Sequence, residues 1–446
     1  MTPLGFALTL LFCSAVLFGS RKVALLGIMA AVCYVTQGQQ FVVAGVHLTS
    51  LRTVLLAGLM RICARGEWKK FALNRVDKSL AAWIIVLVSV SILRQGTAAA
   101  LNYELGFAYD SLLTYFLFRS LISGLAEFEE RLSALAFFLV PFALLMCLEA
   151  ATAKNLFSAM GGVPEDAWIR DGHVRSMGSF RCPITAGTFG ATLAPLFATL
   201  FLIVDNRRAA VAGFLVSTVI VLTSRSSGPL MAYFVGMAGL ACWPLRGRMQ
   251  TVRRGAVALL IGLQLVMVSP VWFLIARVCD VIGGGGYYRA HLIDEFIRRW
   301  ASWSFMGLNY QDTVDWMPTG NLGTGGADIT NEFICMGLRG GLLGLILFVL
   351  FLVRCFQSLG ANMQAARGIS FNNERLLWGL GSVLFAHVLN LMSVTYFDQM
   401  NVPWFLLLAT ISAATPSHAA EQAADAAEAP EAAGRAAGAP NLLGAR

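Results

Sequence analysis

Long apolar runs recur from one end of the chain to the other, and they constrain its fold more than any other feature. The run "LLGLILFVLFLV" (342–353) is apolar on every side, whereas a half-buried strand or a barrel strand alternates apolar and polar residues. Runs of about 18 residues or more are long enough to cross a bilayer as a helix. Only 13% of the residues are charged, about half the share of a soluble domain. These features predict a polytopic α-helical membrane protein.

The predicted fold is all-α, a polytopic bundle of about 12–13 transmembrane helices with a large helical loop outside the membrane. Hydropathy places the candidate spans at 3–19, 23–37, 48–64, 80–93, 104–121, 132–148, 183–204, 209–223, 228–243, 255–276, 332–353, 375–393 and 401–415. Lysine and arginine concentrate in 61–78, 206–208 and 244–255, which the positive-inside rule places in the cytoplasm. Strict alternation then puts the C-terminus inside and the connection around Arg225 outside.

This topology divides the chain into blocks that alternate between membrane and solvent. The blocks are N-terminal transmembrane helices (1–148), an outer loop (149–182), central transmembrane helices (183–276), a large outer loop (277–331), C-terminal transmembrane helices (332–415) and an Ala-rich tail (416–446). Apolar and aromatic residues recur at helical spacing in 287–307, which predicts a helix on the outer surface. The low-complexity tail has too few apolar residues to build a core and is predicted to be disordered.

The outer segments hold more arginine than the positive-inside rule favours. The residues are Arg170, Arg175, Arg181, Arg225, Arg277, Arg289, Arg298 and Arg299. Guanidinium groups bind phosphate oxygens in pairs and stay charged at any relevant pH, so a converging set predicts an anionic ligand such as a lipid pyrophosphate. The alternative is that these side chains reach lipid headgroups or pair with acidic neighbours, namely Glu149, Glu165, Asp166, Asp171, Asp294 and Glu295. Arg225 has no acidic neighbour in sequence, which favours a functional role there.

Several outer residues could handle a proton. They are His173, His291, Asp294, Asp328 and Glu332. Asp328 and Glu332 lie at the start of an apolar span, where a carboxylate could orient an acceptor hydroxyl or take its proton. The spacing "DITNE" also suits Asp328 as the N-cap of that span, and the two roles are compatible.

The sequence lacks the signatures of several other sites. "GGGG" (283–286) is not followed by the GK[ST] of a phosphate-binding loop, and the nine cysteines form no C-x-x-C pair that would suggest a zinc site. The basic residues lie mostly in short loops between spans, so the net charge of +8 does not indicate nucleic acid. No metal and no cofactor are expected.

Four segments, in this order, resemble the O-antigen ligase superfamily, which includes O-antigen ligases and O-antigen and exopolysaccharide polymerases. They are "YDSLLTYFLFRSLI" (109–122), "RSMGSFRCPITAGTFGATLAPL" (175–196), "LTSRSSGPLMAYFVG" (222–236) and "DITNEFICMGLRGGLLGLILFVLF" (328–351). The second is similar to a family segment with the pattern R-x-x-G-x-F-x-x-P-x-x-x-G, and the third to the S-R-G/S signature. The fourth is similar to an H-N-x-x-L…G-L-x-G element. Together they cover most of the chain from about 105 to 415.

This resemblance implies a metal-independent glycosyltransferase in the bacterial inner membrane, with its active site facing the periplasm. The loop 277–331 is then a large periplasmic loop, and the donor is an undecaprenyl-pyrophosphate-linked glycan. Arg225 and Arg289 match the family's arginines that bind the pyrophosphate. Arg175 and Arg181 would add positive potential at the entry of the lipid substrate. Membrane lipids, a chain-length regulator and export proteins are the further partners implied.

One departure from the family concerns the H-N pair. Aligning the glycines places Thr330 at the histidine and Asn331 at the asparagine, so both are expected at the substrate. Threonine is not a base at neutral pH, so Asp328, Glu332 or His291 would take that role, and a polymerase is favoured over a lipid A ligase.

Two other functions compete with the enzyme. A transporter or flippase for an anionic lipid or solute needs charged or broken helices within the membrane, where Arg52 and Glu104 are the nearest candidates. A structural or assembly subunit would leave the outer arginines without a purpose.

Overall fold

The computed structural model describes residues 1–43, 46–70, 72–204, 207–277, 285–317 and 325–414. The predicted disordered tail (416–446) lies outside the described residues. The fold is mostly helical, and the helices are α1 Pro3–Phe18, α2 Arg21–Tyr34, α3 Ser50–Arg65, α4 Arg75–Gln95, α5 Ala98–Ala108, α6 Thr114–Leu121, α7 Leu125–Phe138, α8 Val140–Thr152, α9 Pro183–Ile203, α10 Arg208–Ser224, α11 Ser227–Ala241, α12 Met249–Val266, α13 Gly286–Arg298, α14 Trp300–Trp303, α15 Glu332–Ala366, α16 Phe371–Asn390 and α17 Asn401–Ala413.

Several of these helices could cross a membrane. By length and composition, the described residues contain four such spans: α4, the continuous pair α7 and α8, α9, and α15. The segments Ser227–Ala241 and Trp243–Val266 pass the same criterion together, although they are bent by 71° at the break between them. The helices α1 and α10 are apolar but shorter. A multi-pass membrane protein fits this set, while the count of 12–13 spans stays a prediction.

Two short antiparallel ribbons depart from the purely α-helical expectation. One pairs β1 (Gln40–Val43) with β2 (Val46–Thr49), and the other pairs β3 (Trp168–Arg170) with β4 (His173–Arg175). The β3–β4 turn has Asp171 at φ 52° and Gly172 at φ 74°, and two successive positive φ angles are what a tight two-residue hairpin requires.

The bundle has two ends with different chemistry. At the basic end, defined by residues 61–70, 72–75, 242–254 and 367–374, arginines cap the helix ends. Arg61 donates to the carbonyls of Val16 and Gly19 at the end of α1 and pairs with Glu67 at 3.0 Å. Asn74 at the start of α4 donates to Ser412 O at 2.9 Å near the end of α17. Arg61 and Asn74, both in the first Lys- and Arg-rich segment, therefore lie against the ends of α1 and α17.

The site end of the bundle is defined by residues 36–43, 46–49, 153–182 and 391–400. The amide of Thr2 donates to Gln39 Oε1 at 2.8 Å, so α1 runs from the site end to the basic end and its N-terminus lies with the segments predicted to be outside. Thr36 donates to Gly161 O at 2.6 Å, and Gln399 donates to Ser179 O at 2.7 Å. The segments that alternation places on one face are thus in contact.

The long helix α15 is interrupted at Gly341, whose φ is 62°. The segment around residues 304–308 docks into this break: Leu308 N donates to Leu338 O and Leu342 N donates to Ser304 O, both at 2.7 Å. A Cβ on Gly341 would lie 2.7 Å from Phe305 O, closer than real Cβ contacts. The break therefore needs glycine, and it anchors the segment that carries α13 and α14.

Gly341→Ala is expected to lower the free energy of unfolding by about 1–3 kcal/mol, because alanine is strained at positive φ and clashes with the docked carbonyl. Gly360→Ala is the matched control in the same helix, where a Cβ would meet nothing within 4 Å and alanine should stabilise by about 0.5–1 kcal/mol. Thermal unfolding in detergent measures both. Equal stability of the two variants would contradict the role of the break.

Candidate functional site

Four of the eight arginines named from the sequence line one cavity of about 190 Å³ at the site end. We call it the arginine cavity, and its polar lining is Arg170, Asp171, His173, Arg175, Arg225, Ser226, Ser227 and Arg289. Arg175, Arg225 and Arg289 come from separate parts of the chain: strand β4, the α10–α11 connection and helix α13. The positive groups outnumber the one carboxylate of the lining, so the cavity favours an anion.

Arg175 is held in the wall of the cavity. Its Nη2 donates to Ser226 Oγ at 2.7 Å, and the residue is only 8% exposed. Burial and the neighbouring Arg170 lower the pKa of Arg175 from its usual value, although a guanidinium remains charged in proteins. Its buried Nε has no hydrogen-bond partner among the described residues. A ligand oxygen at this position would satisfy that N–H.

The turn after Arg175 is held in place by hydrogen bonds to Glu149. Glu149 is buried, and its carboxylate accepts hydrogen bonds from the backbone N–H groups of Met177 at 3.0 Å and Gly178 at 2.8 Å. Ser176 N donates to Thr223 O at 3.0 Å, which ties β4 to the end of α10. Glu149 thus shapes the backbone that presents Arg175, and it is not an ion-pair partner of the arginines.

Arg225 terminates α10 in the left-handed conformation, with φ 43° and ψ 46°. A side chain other than glycine in this region costs about 1 kcal/mol and occurs often at functional sites. Ser226 Oγ donates to Ser224 O at 2.9 Å and fixes the connection. The Arg225 side chain is exposed and makes no hydrogen bond or ion pair within the described parts of the chain. Its charge is therefore available to a ligand.

Arg289 joins the cavity from helix α13, which the sequence predicted within 287–307. Its Nε donates to Ser393 O at 3.2 Å, so it also ties α13 to the loop after α16. The first turn of α11 completes the wall with Ser227 and Gly228, and this helix begins without a capping side chain. Free N–H groups at a helix start attract anions.

An apolar cavity of about 230 Å³ shares Ser227, Gly228 and Arg289 with the arginine cavity. Its other walls are mainly aliphatic: Met231, Ala232, Val235, Leu274, Ile275, Leu389 and Met392. A charged cavity and an apolar cavity that meet at the same residues suit a ligand with an anionic head and an apolar tail.

The predicted carboxylates lie near this region with different surroundings. Asp328 is exposed, and its carboxylate makes no hydrogen bond within the described residues. Partial desolvation raises the pKa of Asp328 from its usual value, while nearby Arg289 lowers it. The carboxylate of Glu332 instead accepts a hydrogen bond from Tyr396 N at 3.1 Å. Asp328 is the more available of the two.

The remaining predicted binding residues are engaged elsewhere or outside the cavity lining. Arg181 pairs with Asp398 at 3.1 Å. His291 stacks on Tyr287, with ring centroids 5.9 Å apart. The hydroxyl of Thr330 is buried without a partner among the described residues. Their roles at a substrate stay predictions.

Asn331 corrects one expectation. Its side-chain oxygen accepts from Phe333 N at 3.0 Å and Ile334 N at 3.2 Å, and its Nδ2 donates to Met392 O at 2.9 Å. Asn331 is therefore the N-cap of α15, and the suggestion that Asp328 caps this helix is wrong. Because Asn331 caps α15, the Asp328 carboxylate is not used as a helix cap.

Other arginines of the predicted outer set pair with acidic residues close to them in sequence, as the alternative interpretation expected. Arg298 pairs with Asp294 and Arg299 with Glu295, each at 2.8 Å across one helical turn. Arg170 lies 3.6 Å from Asp171 and still lines the cavity. The sequence places Arg170 in the arginine set expected to bind an anion and His173 among the proton-handling candidates. The Asp-Gly pair between them is a hairpin signal that places them opposite each other.

The charges named for a transporter are paired. Arg52 forms a salt bridge with Asp110 at 2.6 Å, and the buried Glu104 forms one with Arg339 at 2.5 Å. No family model matches this chain, and no curated protein is significantly similar to it. The arginine cavity and its surroundings therefore carry the functional inference.

Proposed function

We propose that the protein is a membrane glycosyltransferase that polymerises or ligates polysaccharide repeat units. The donor is an undecaprenyl-pyrophosphate-linked glycan, and the reaction takes place at the periplasmic face of the bacterial inner membrane. In this proposal the helices form the bundle of 12–13 spans predicted from hydropathy. The site end faces the periplasm, and the basic end faces the cytoplasm in accordance with the positive-inside rule.

The observation that carries the proposal is the convergence of Arg175, Arg225 and Arg289 beside an apolar cavity. Guanidinium forks match the geometry of diphosphate oxygens, and an aliphatic cavity suits a polyprenyl tail. Few soluble anions would need both a cluster of guanidinium groups and an adjoining aliphatic cavity. A lipid-linked donor also accounts for a sequence without a recognisable nucleotide-binding motif, since the activated bond is already present in the lipid diphosphate.

In the proposed reaction, the oxygen of an acceptor hydroxyl bonds to the anomeric carbon of the donor glycan as the bond from that carbon to the phosphate oxygen breaks. The lipid diphosphate leaves with the electron pair of the broken bond. Arg175, Arg225 and Arg289 stabilise the charge that develops on the leaving group. Their positive charge supplies the role that a metal ion has in many diphosphate sites.

The proton of the acceptor hydroxyl passes to a carboxylate. Asp328 fits this role better than Glu332, because its carboxylate makes no hydrogen bond within the described residues, whereas that of Glu332 accepts one from Tyr396 N. Thr330 occupies the position of the ligase histidine by resemblance. Its hydroxyl cannot act as a base, which favours a polymerase over a ligase that transfers to lipid A.

A transporter or flippase for an anionic lipid-linked glycan is the second candidate. The observation in its favour is the break at Gly341 in α15, close to the buried Arg339–Glu104 pair. Broken helices and buried charges are common at transport sites.

Reconstitution in vesicles with a fluorescent lipid-linked repeat unit separates the two candidates. The enzyme should produce longer glycans on fewer lipids, with free lipid diphosphate as the second product, and it should do so in the presence of a chelator. A transporter would move the substrate across the bilayer and return it unchanged. Transbilayer movement without any change in glycan length would contradict the proposed function.

A further inference from the structure

A second polar cavity, of about 220 Å³, lies at the site end, and no step of the proposed function uses it. We call it the amide cavity. Its polar lining is Gln37, Gln40, Thr49, Arg52, Asp110, Thr114, Asp398 and Asn401, and Leu51, Leu55 and Val402 form the apolar part. Its volume is below the roughly 300–1,000 Å³ of pockets for drug-sized ligands, so it suits one small unit of a larger molecule.

The amide cavity contains polar groups that the fold itself does not use. The side-chain amides of Gln37, Gln40 and Asn401 make no hydrogen bond within the described residues. Thr114 is only 1% exposed, and its hydroxyl is buried without a partner there. Helical threonines usually donate to the carbonyl four residues before, as Thr188 does to Ile184 O at 2.8 Å. Thr114 follows the π-helical turn Tyr109–Leu113 and lacks that bond.

The charged groups of the amide cavity are held in place and do not favour an anion. Arg52 forms a two-fold hydrogen bond with Asp110, from Nε at 2.9 Å and from Nη2 at 2.6 Å. Asp398 has φ 50° and binds Arg181 through Oδ2. Its Oδ1 accepts no hydrogen bond from the described residues. The carboxylates of the lining outnumber its one guanidinium, so the cavity favours a ligand that donates hydrogen bonds.

We infer that the amide cavity binds a sugar residue of the acceptor glycan through its hydroxyl groups. Hydroxyls both donate and accept, as amides and the Thr114 hydroxyl do, and the free oxygen of Asp398 accepts. The aliphatic patch suits the C–H face of a sugar ring. This inference rests on the proposed function, because it assigns the acceptor of that reaction.

The connection between the two cavities supports this division of roles. Arg175 lines the arginine cavity, and Arg181, six residues later, pairs with Asp398 of the amide cavity. Ser179 between them accepts a hydrogen bond from Gln399, the residue after Asp398. The segment 175–181 therefore contributes Arg175 to the arginine cavity and binds Asp398 of the amide cavity through Arg181. In the proposed reaction, this segment fixes the position of the acceptor sugar relative to the donor diphosphate.

The test compares Thr114→Val with Ser111→Ala in the full-length protein in lipid nanodiscs. Both replace a buried hydroxyl without a described partner near the same π-helical turn, but only Thr114 lines the cavity. The probe is the repeat-unit oligosaccharide released from the host's own surface polysaccharide by partial acid hydrolysis. Calorimetric titration should show about three- to tenfold weaker binding for Thr114→Val and unchanged binding for Ser111→Ala. Thermal stability should not fall, since neither hydroxyl has a partner to lose.

Asn401→Ala is the second variant, and it should weaken binding by a similar factor. Wild-type binding by Thr114→Val and Asn401→Ala overturns the inference, as does a wild-type protein that does not bind the oligosaccharide. Inorganic pyrophosphate is a separate probe for the arginine cavity. If Arg225→Ala binds pyrophosphate like the wild type, the proposed function fails, while loss of oligosaccharide binding in Thr114→Val still supports the sugar site.

Discussion

Replacing Arg225 by alanine is expected to abolish polymer formation, with a loss of about 100-fold or more in the rate of glycan transfer. The guanidinium lines the arginine cavity and has no partner in the described parts of the chain, so its charge is available to a ligand. The amount of protein in the membrane should not change. Alanine keeps the Cβ of arginine, so the strain at φ 43° is the same in the variant.

Arg207→Ala is the matched control for this variant. Arg207 directly precedes α10 and Arg225 directly follows it, so the two residues lie at opposite ends of the same helix. Arg207 is also exposed, and its guanidinium lies 4.6 Å from the centre of the Phe201 ring. Its loss should leave polymer yield and length unchanged. Quantifying polymer by gel electrophoresis and protein by immunoblot in the same cells measures both. Normal polymer in Arg225→Ala would contradict the assignment of the cavity.

Replacing Arg289 by alanine is expected to lower transfer by about 100-fold as well and to reduce stability. Arg289 lines both the arginine cavity and the apolar cavity, and it donates to Ser393 O. Arg298→Ala on the same helix is the control, because that side chain is 69% exposed and pairs with Asp294. Transfer measured with purified protein should fall only for Arg289→Ala. Equal activity of the two variants would contradict the role of Arg289.

Arg289→Lys is expected to retain more activity than the alanine variant and allows a pH profile to be measured. Arg289 lowers the pKa of Asp328, which partial desolvation raises. Alanine removes this opposing charge, so the pKa of Asp328 should rise further. If Asp328 accepts the proton, it must be ionised, and the acidic limb of the residual activity should therefore move to higher pH in Arg289→Ala. The lysine variant should shift less, because it keeps the positive charge.

The convergence of Arg225 and Arg289 could be predicted because topology and charge act together. In the topology predicted from the basic loops, Arg225 lies in an outer connection and has no acidic neighbour in sequence, which singles it out as a candidate. The helix around Arg289 was also predictable from its spacing. The sequence alone could not show that Arg298 and Arg299 pair with carboxylates one turn away while Arg289 lines the cavity, since that depends on which face of α13 packs on the bundle.

Other features depend on contacts between distant segments. The amide cavity joins Gln37, Asp110 and Asn401, which share no local pattern. The break at Gly341 lies in a glycine-rich run that equally suits an unbroken helix with close packing, and only the docked segment decides between them. The N-cap of α15 is Asn331 and not Asp328, because the cap position depends on where the backbone turns into the helix.

The most direct test is a cryo-electron microscopy structure of the protein in nanodiscs with added undecaprenyl pyrophosphate. The account predicts phosphate oxygens about 2.7–3.2 Å from the guanidinium groups of Arg175, Arg225 and Arg289, and the first isoprene units in the apolar cavity. Density for the diphosphate elsewhere, with the arginine cavity empty, would contradict the account.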